Sequence, residues 1–432
     1  MKKLISLVII ASMLSVFLAV SSSPALAQTE KEKVTIWWKK AQVPVANDEI
    51  TKRVEQFAKE NNVDAKIEII AYEDFFPKWT AAIESGQVPD ITFLGYQEVG
   101  QFYSQGVLMD ISDLYSDIEK NIGPIYSTLK TPISFDGKQY AIPFWTECQV
   151  LYYRKDLLAA AGFNEAPKTW DEFRKIAKAT TNPAKGIYGA GIGYGKGNSD
   201  AEWLTRAIIW SFGGIEASKD GKIPAINSPE TIQATKFITD MFTVDKSTFP
   251  SAVSWDDAGN NKAYLSGQAA MIFNTGSVLN AAKKDNPDLY NNTGLAPIPA
   301  GPKGAFVPGI DNCLSIFKKS KNPETAKKLV KYLLQKDWYG KWIEAQIPLA
   351  GPVLSELGDA PVWKDPLNKV FVDSTKSFTY IGYSGPYTAK AGEVYNLRLI
   401  NDAFQSILVD KKTPEAAIAD LQKKMEEVYN KK

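Results

Sequence analysis

Between residues 34 and 95 the hydrophobic period of the chain changes four times. VTIWW (34–38) is a short β-prone run, and NDEITKRVEQFAKENN (47–62) sets Ile50, Val54, Phe57 and Ala58 at helical spacing. KIEIIAY (66–72) is β-prone again, DFFPKWTAAIESG (74–86) reads as a helix stopped by Gly86, and PDITFLG (89–95) is a third strand. Strands alternating with helices predict βαβ crossovers and therefore a largely parallel α/β sheet. Further helix starts follow one recipe, a capping residue and then Pro-Glu: Ser228-Pro229-Glu230, Asn322-Pro323-Glu324 and Thr413-Pro414-Glu415. The cap side chain accepts from orphan N–H groups, proline suits the first helical position, and glutamate complements the helix dipole. Thr169-Trp170-Asp171-Glu172 reads as a capping box opening one more helix.

The first residues, MKKLISLVIIASMLSVFLAV, join Lys2 and Lys3 to an uncharged apolar run and end in SSSPALA before Gln28. This is the pattern of a secretory signal cleaved after Ala27, and the small-residue stretch argues against a membrane span. With no cysteine at the cleavage point, the mature chain is expected to be free of a lipid anchor. The expected place is the periplasm, with secretion into the medium as the alternative. Removal of 1–27 leaves 405 residues, and the 50 basic and 49 acidic side chains less Lys2 and Lys3 leave a formal charge of −1. Such a balance gives no electrostatic case for nucleic acid or anionic lipid. The length suits two or three domains, yet no Ser/Gly linker cuts the chain; PIPAGPKGAFVPGID (297–311) is the one candidate boundary. No repeat of solenoid length is present.

Histidine is absent and only Cys148 and Cys313 are present, which removes Ser-His-Asp, Cys-His and most zinc chemistry. Any catalysis would fall to carboxylates, and pairs such as Asp256 and Asp257, or Asp110 and Asp113, are the glycosidase-like reading to weigh. Such pairs arise by chance in any chain with 49 acids. GAGIGYGKGNS (189–199) fails the Walker spacing and the dinucleotide fingerprint, and reads as a mobile loop. No cofactor and no metal are expected. The 11 Trp, 19 Tyr and 20 Phe are many, and several tryptophans are expected at clefts, where the indole N–H finds a partner.

The stretch SFDGKQYAIPFWTECQVLYYRKDLLAAAGFNEAPKTWDEFRKIAKA (134–179) resembles the signature region of extracellular solute-binding proteins of bacterial ABC importers, in the sugar-binding family that includes maltodextrin-binding proteins. The matching positions are Gly137, Lys138, Tyr140, Pro143, Tyr153, Lys155, Asp156, Pro167, Thr169, Trp170, Glu172 and Phe173, while Arg154 replaces the usual asparagine. Further stations in the same order are VTIWW (34–38), VPDITFL (88–94), GVLMDISDL (106–114), YLSGQAAMIFNTGS (264–277), KKSKNPETAKKLVKYLL (318–334) and KKTPEAAIADLQKKM (411–425).

The resemblance implies a two-lobed α/β periplasmic-binding-protein fold, with a ligand cleft between lobes joined by crossing hinge strands. Residues 28–145 plus 313–375 would form the first lobe, and 150–308 plus 381–432 the second. AIPFWTECQVLYYRKD (141–156) and VPGIDNCLSIF (307–317) would be the crossing strands. By the same resemblance Glu147 accepts from sugar hydroxyls, a salt-bridged hinge glutamate being the alternative. Trp38, Lys39 and Gln42 follow the first strand; Tyr96 and Gln97 follow the third, where maltodextrin binders tend to carry an acid. Trp203 is the expected stacking platform, and Asn274 and Gly276 lie in the loop after AAM, followed here by Ser277 and Val278 rather than the frequent tryptophan. Trp145, Trp255, Asp311, Asn312 and Tyr383 are further cleft candidates.

Cys148 and Cys313 fall on the two crossing strands, so a hinge disulfide is one expectation and buried free thiols the other. The implied function is capture of a mono- or oligosaccharide, without catalysis, by a monomer that delivers it to a membrane permease. The alternatives are a polyamine, peptide or glycerophosphodiester on the same fold, and a secreted two-carboxylate glycosidase.

Overall fold

The computed structural model describes residues 31–431, so the signal segment and its cleavage site lie outside the described residues. Twelve strands are present among them: β1 (Lys33–Lys39), β2 (Asp64–Ile70), β3 (Ile91–Gly95), β4 (Ser134–Phe135), β5 (Lys138–Gln139), β6 (Ile142–Cys148), β7 (Val150–Arg154), β8 (Tyr188–Gly191), β9 (Ala269–Asn274), β10 (Thr293–Ala296), β11 (Val307–Ile316) and β12 (Phe378–Thr379). The alternation predicted for 34–95 is observed, with helices Pro44–Asn61 and Phe75–Ser85 between the first three strands.

Two main sheets result. One runs β12-β11-β3-β1-β2 with β6 added along β11, and the other runs β10-β7-β9-β8. β1 lies parallel to β2 and β3, as the helical crossovers require, whereas β11 is antiparallel to β3 and β6. β4 and β5 form a hairpin whose two-residue Asp136-Gly137 turn needs positive φ at both positions, 50° and 75°, which glycine adopts without steric cost.

The chain leaves the first sheet for the second between β6 and β7, at Gln149, which is 1% exposed. It returns on β11, whose residues Gly309–Asn312 pair with Cys148–Trp145. The crossings are thus strand-paired and buried, which is why no flexible linker marks a boundary in the sequence. The C-terminal helices Leu399–Leu408 and Pro414–Asn430 pack on each other and on helix Pro229–Thr243, while helix Ala389–Asn396 packs on helix Tyr96–Ser104.

One pair of alternatives is decided and two local expectations are corrected. Cys148 and Cys313 are both free and buried. Cys148 stands opposite Gly309, four residues from Cys313 on β11; at about 3.3 Å per residue that is about 13 Å, well beyond the ~7 Å a disulfide can span. Glycine-rich 189–199 is packed rather than a free loop: Gly189 to Gly195 are buried, and the Asn401 amide donates to the carbonyls of Gly195, Lys196 and Asn198 at 3.3, 3.1 and 2.7 Å. A Cβ on Gly195 would stand 2.1 Å from the Trp255 carbonyl oxygen, so glycine serves close approach there. Finally, Ser228 and Thr413 cap their helices and Thr169 completes its capping box, but Asn322 does not cap. Its side-chain amide donates to the Lys33 carbonyl at 2.7 Å and its backbone N–H to Asp90 Oδ1 at 3.2 Å, tying the helix to the first sheet instead.

Candidate functional site

A cleft of about 350 Å³ opens where the two sheets meet, lined from both sides. Its first wall begins with the alternation of β1. Trp38 turns into the core at 1% exposure, against the rings of Phe144, Trp145 and Trp342, and the next residue, Lys39, emerges on the cleft side. The Lys39 ammonium donates to Asn312 Oδ1 at 3.0 Å and lies 3.6 Å from Glu147 Oε1. Around it stand Tyr72, Phe93 and Trp145, with ring centroids 5.5, 5.4 and 5.6 Å away, so the cation is fixed by charge and by aromatic faces together.

Glu147 comes from β6. Its Oε1 accepts from the Trp145 indole N–H at 3.1 Å and from the Asn312 amide at 3.2 Å. Oε2 has no protein partner among the described residues, and the side chain is 13% exposed. Two hydrogen-bond donors and the Lys39 ion pair hold one oxygen, and the other is left to the cleft.

The second wall is built at the start of helix Ser199–Phe212 and the end of β9. Asp200 Oδ1 accepts from Gln149 at 2.8 Å, while Oδ2 accepts from Asn260 at 3.0 Å and Asn274 at 2.9 Å. Enclosure, with Asp257 close by, pushes the Asp200 carboxyl up to about 7 against those amide donors. Asp257 Oδ1 accepts from the Ser199 hydroxyl at 2.6 Å and the Asp200 N–H at 3.0 Å. Trp203, one turn into the helix and 4% exposed, lines the cleft beside Tyr395, their rings 4.8 Å apart. Below it Arg206 is wholly buried, paired with Glu202 and with both oxygens of Glu216 at 3.2 Å, so the platform helix is anchored by a buried charge cluster.

Two more acids are buried, Asp311 against the cleft and Glu98 behind it. The Tyr380 hydroxyl donates to Asp311 Oδ2 at 2.6 Å, Oδ1 is unpartnered, and burial pushes the carboxyl up to about 7. Burial likewise raises Glu98 to about 7, with Tyr72 donating to Oε1 at 3.3 Å.

Of the residues expected from sequence, Lys39, Gln42, Gln97 and Glu147 line the cleft from one side, Trp203 and Asn274 from the other, and Asp311 and Asn312 from β11. Six do not line it. Trp38 faces the core by strand alternation, and Tyr96, 0% exposed, packs on Tyr380 and Tyr387. Trp145 lies behind Glu147 and orients it. Trp255 lines a separate outer groove against Phe249, because the adjoining turn gives the cleft to Asp257. Gly276 is closed off by the backbone of Pro348 and Leu349, where a Cβ would stand about 2.4 Å away. Tyr383 packs on Trp210 and Phe306.

Sequence reasoning missed Tyr72, Phe93, Asp200, Asp257, Asn261 and Tyr395. Asp257 carried a signal as half of an acidic pair, and Asp200 as an acid in the first turn of a helix. Tyr395 carried none, since nearly 200 residues separate it from Trp203. The other acidic pair serves surface contacts: Asp110 meets Ser112 and Lys138, and Asp113 meets Lys327.

Among the described residues no cluster of His, Cys, Asp and Glu is arranged to hold a metal, and no helix is long and apolar enough to cross a membrane. Comparison with solved structures finds the same two-lobed fold. A solute-binding protein of Thermotoga lettingae bound to α-D-tagatose superposes with a TM-score of 0.77 at 22% identity, over 93% of this chain and 100% of that one. A maltose-bound protein of T. maritima gives 0.76 at 24%, over 92% and 99%. In sequence, a binding protein of Brucella abortus is 26% identical over 391 residues, 89% of this chain and 90% of the relative. The diacetylchitobiose-binding protein of Streptomyces coelicolor is 26% identical over 318 residues, 72% of this chain and 71% of the relative. The bacterial extracellular solute-binding protein family matches residues 44–340, and with the fold and the two-walled cleft in place the chain belongs to that family.

Proposed function

We propose that this chain captures a sugar between its two lobes and delivers it to the membrane permease of an ABC importer. The observation that carries this reading is the composition of the cleft: a carboxylate with one free oxygen (Glu147), an anchored ammonium (Lys39), side-chain amides (Gln42, Gln97, Asn274), and an indole from the opposite wall (Trp203). A sugar ring has an apolar face that stacks on an aromatic ring and an edge of hydroxyls that both donate and accept, which this mixture matches. The names of relatives support it: one is a diacetylchitobiose-binding protein and another, of Pyrococcus abyssi, a maltotriose-binding protein.

Residues 28–145 with 313–375 form one lobe in this reading and 150–308 with 381–432 the other. Closure follows because a ligand shifts the open and closed populations only through contacts it gains from both walls. The protein works as a monomer, exported to the periplasm after cleavage at Ala27, without an anchor and without catalysis.

A thermal-shift screen against a broad sugar panel, with polyamines and glycerophosphodiesters included, tests the reading. A binder at 100 times its Kd adds about 2.7 kcal/mol of stability. Shifts caused only by non-sugar solutes refute the sugar assignment, and product released from a bound sugar on long incubation refutes the absence of catalysis.

A further inference from the structure

We propose that the solute carries a positively charged amine, seated between Asp257 and the free oxygen of Glu147 with the Trp203 indole beside it. The inference rests on the sugar reading above, and the two together name an amino sugar as the ligand class.

The charged side chains that line the cleft are Lys39, Glu147, Asp200, Asp257 and Asp311, with no arginine. Lys39 is committed to Glu147 and Asn312, which leaves that pair neutral as a unit. Asp200 and Asp257 have no basic side chain within ion-pair distance among the described residues; their partners are neutral amides, a hydroxyl and a backbone N–H. Asp257 Oδ2 has no protein partner, so it and Glu147 Oε2 are free acceptors on opposite walls. Asp200, Asp257 and Glu147 line the same cleft, and the charges of Asp257 and Glu147 both favour the protonated form of Asp200.

Gln97 adds a further polar group open to the cleft. Gln97 is 6% exposed, lines the cleft, and its side-chain amide makes no hydrogen bond to any described residue. Its amide is free for a bound solute, and its oxygen accepts from an ammonium N–H as readily as from a hydroxyl.

Hydroxyls could fill the free acceptors one by one, but they bring no charge. An ammonium supplies the exposed Asp257 carboxylate with the cation it lacks among the described residues, while the indole face attracts it further. Lys39 does not compete for this role, because its ammonium is held within its own ring of aromatic side chains.

The test titrates the full-length mature protein by calorimetry with matched probes: glucose and glucosamine, cellobiose and its diamino counterpart the glucosamine disaccharide, the N-acetylated forms, and spermidine. Amino members binding about tenfold or more tighter than their neutral counterparts, with affinity falling as salt rises, is the expected result. Asp257→Asn, an exposed side chain whose replacement is checked for an unchanged melting temperature without ligand, is expected to remove most of that preference. Neutral or N-acetylated members binding as tightly as the amines overturns the inference and leaves the sugar reading intact. Binding of spermidine alone upholds the amine and overturns the sugar.

Discussion

Asp311→Asn isolates one buried ionisation and its effect on stability. Asp311 is 0% exposed on β11, accepts one hydrogen bond from Tyr380, and has its second oxygen unpartnered. Burial moves its carboxyl from the ordinary 3.8 to about 7. In the unfolded chain the group loses its proton near 4, while the folded protein keeps it to near 7. Stability from this residue is therefore fully present below the unfolded value and is lost as the pH rises through the folded one. A displacement of about three pH units at about 1.4 kcal/mol each makes the loss up to about 4 kcal/mol. Asparagine keeps a carbonyl for the Tyr380 hydroxyl and cannot ionise. Urea unfolding followed by tryptophan fluorescence, from about pH 4 to about pH 8, should show the wild type losing up to about 4 kcal/mol more than the variant. Glu98 and Asp200, displaced in the same direction, contribute equally to both proteins and cancel in the difference. Parallel pH profiles for the two proteins would refute the reasoning, since they would mean that Asp311 is ionised throughout.

Glu147→Ala should cost about 2–5 kcal/mol of ligand affinity, read by calorimetry, because it removes a charged acceptor and frees Lys39 and Asn312 from their partner; unchanged affinity would make Glu147 purely structural. Arg206→Ala leaves Glu202 and Glu216 buried without their counter-ion and should destabilise the protein by about 3–5 kcal/mol in urea unfolding, whereas replacing the exposed Lys52 should leave the unfolding midpoint in place. Burial pushes the Cys148 thiol up to about 12, so a thiol reagent should label neither cysteine in the native protein and both after unreduced denaturation; no reactive thiol in the denatured sample would restore the disulfide.

How far the site could be read from sequence follows the locality of each signal. Lys39 and Glu147 were legible because each stands at the end of a strand that the hydrophobic pattern marks, and neighbouring motifs place that end at the lobe junction. Trp38 was misassigned by a single residue, and on a strand one residue reverses the face. Trp255 and Asp257 were exchanged for the same kind of reason: the turn before helix Gly259–Leu265 decides which of them meets the cleft, and no local rule states its direction. Tyr395 was invisible because it reaches the cleft only when the C-terminal helices return to the first half of the chain.

The sequence by itself determined the α/β class, the first five elements, most helix starts, the family and the chemical character of the cleft. These are local quantities: residue period, capping chemistry, and motifs whose order survives any detail of packing. Only the tertiary structure decided that the two cysteines stay apart, that the glycine-rich segment is clamped by Asn401, and that Asp200 and Asp257 meet Glu147 across a common space. Those outcomes depend on strand register and on contacts between residues tens to hundreds of positions apart, where a shift of one residue changes the partner and the chain pattern holds no trace of it.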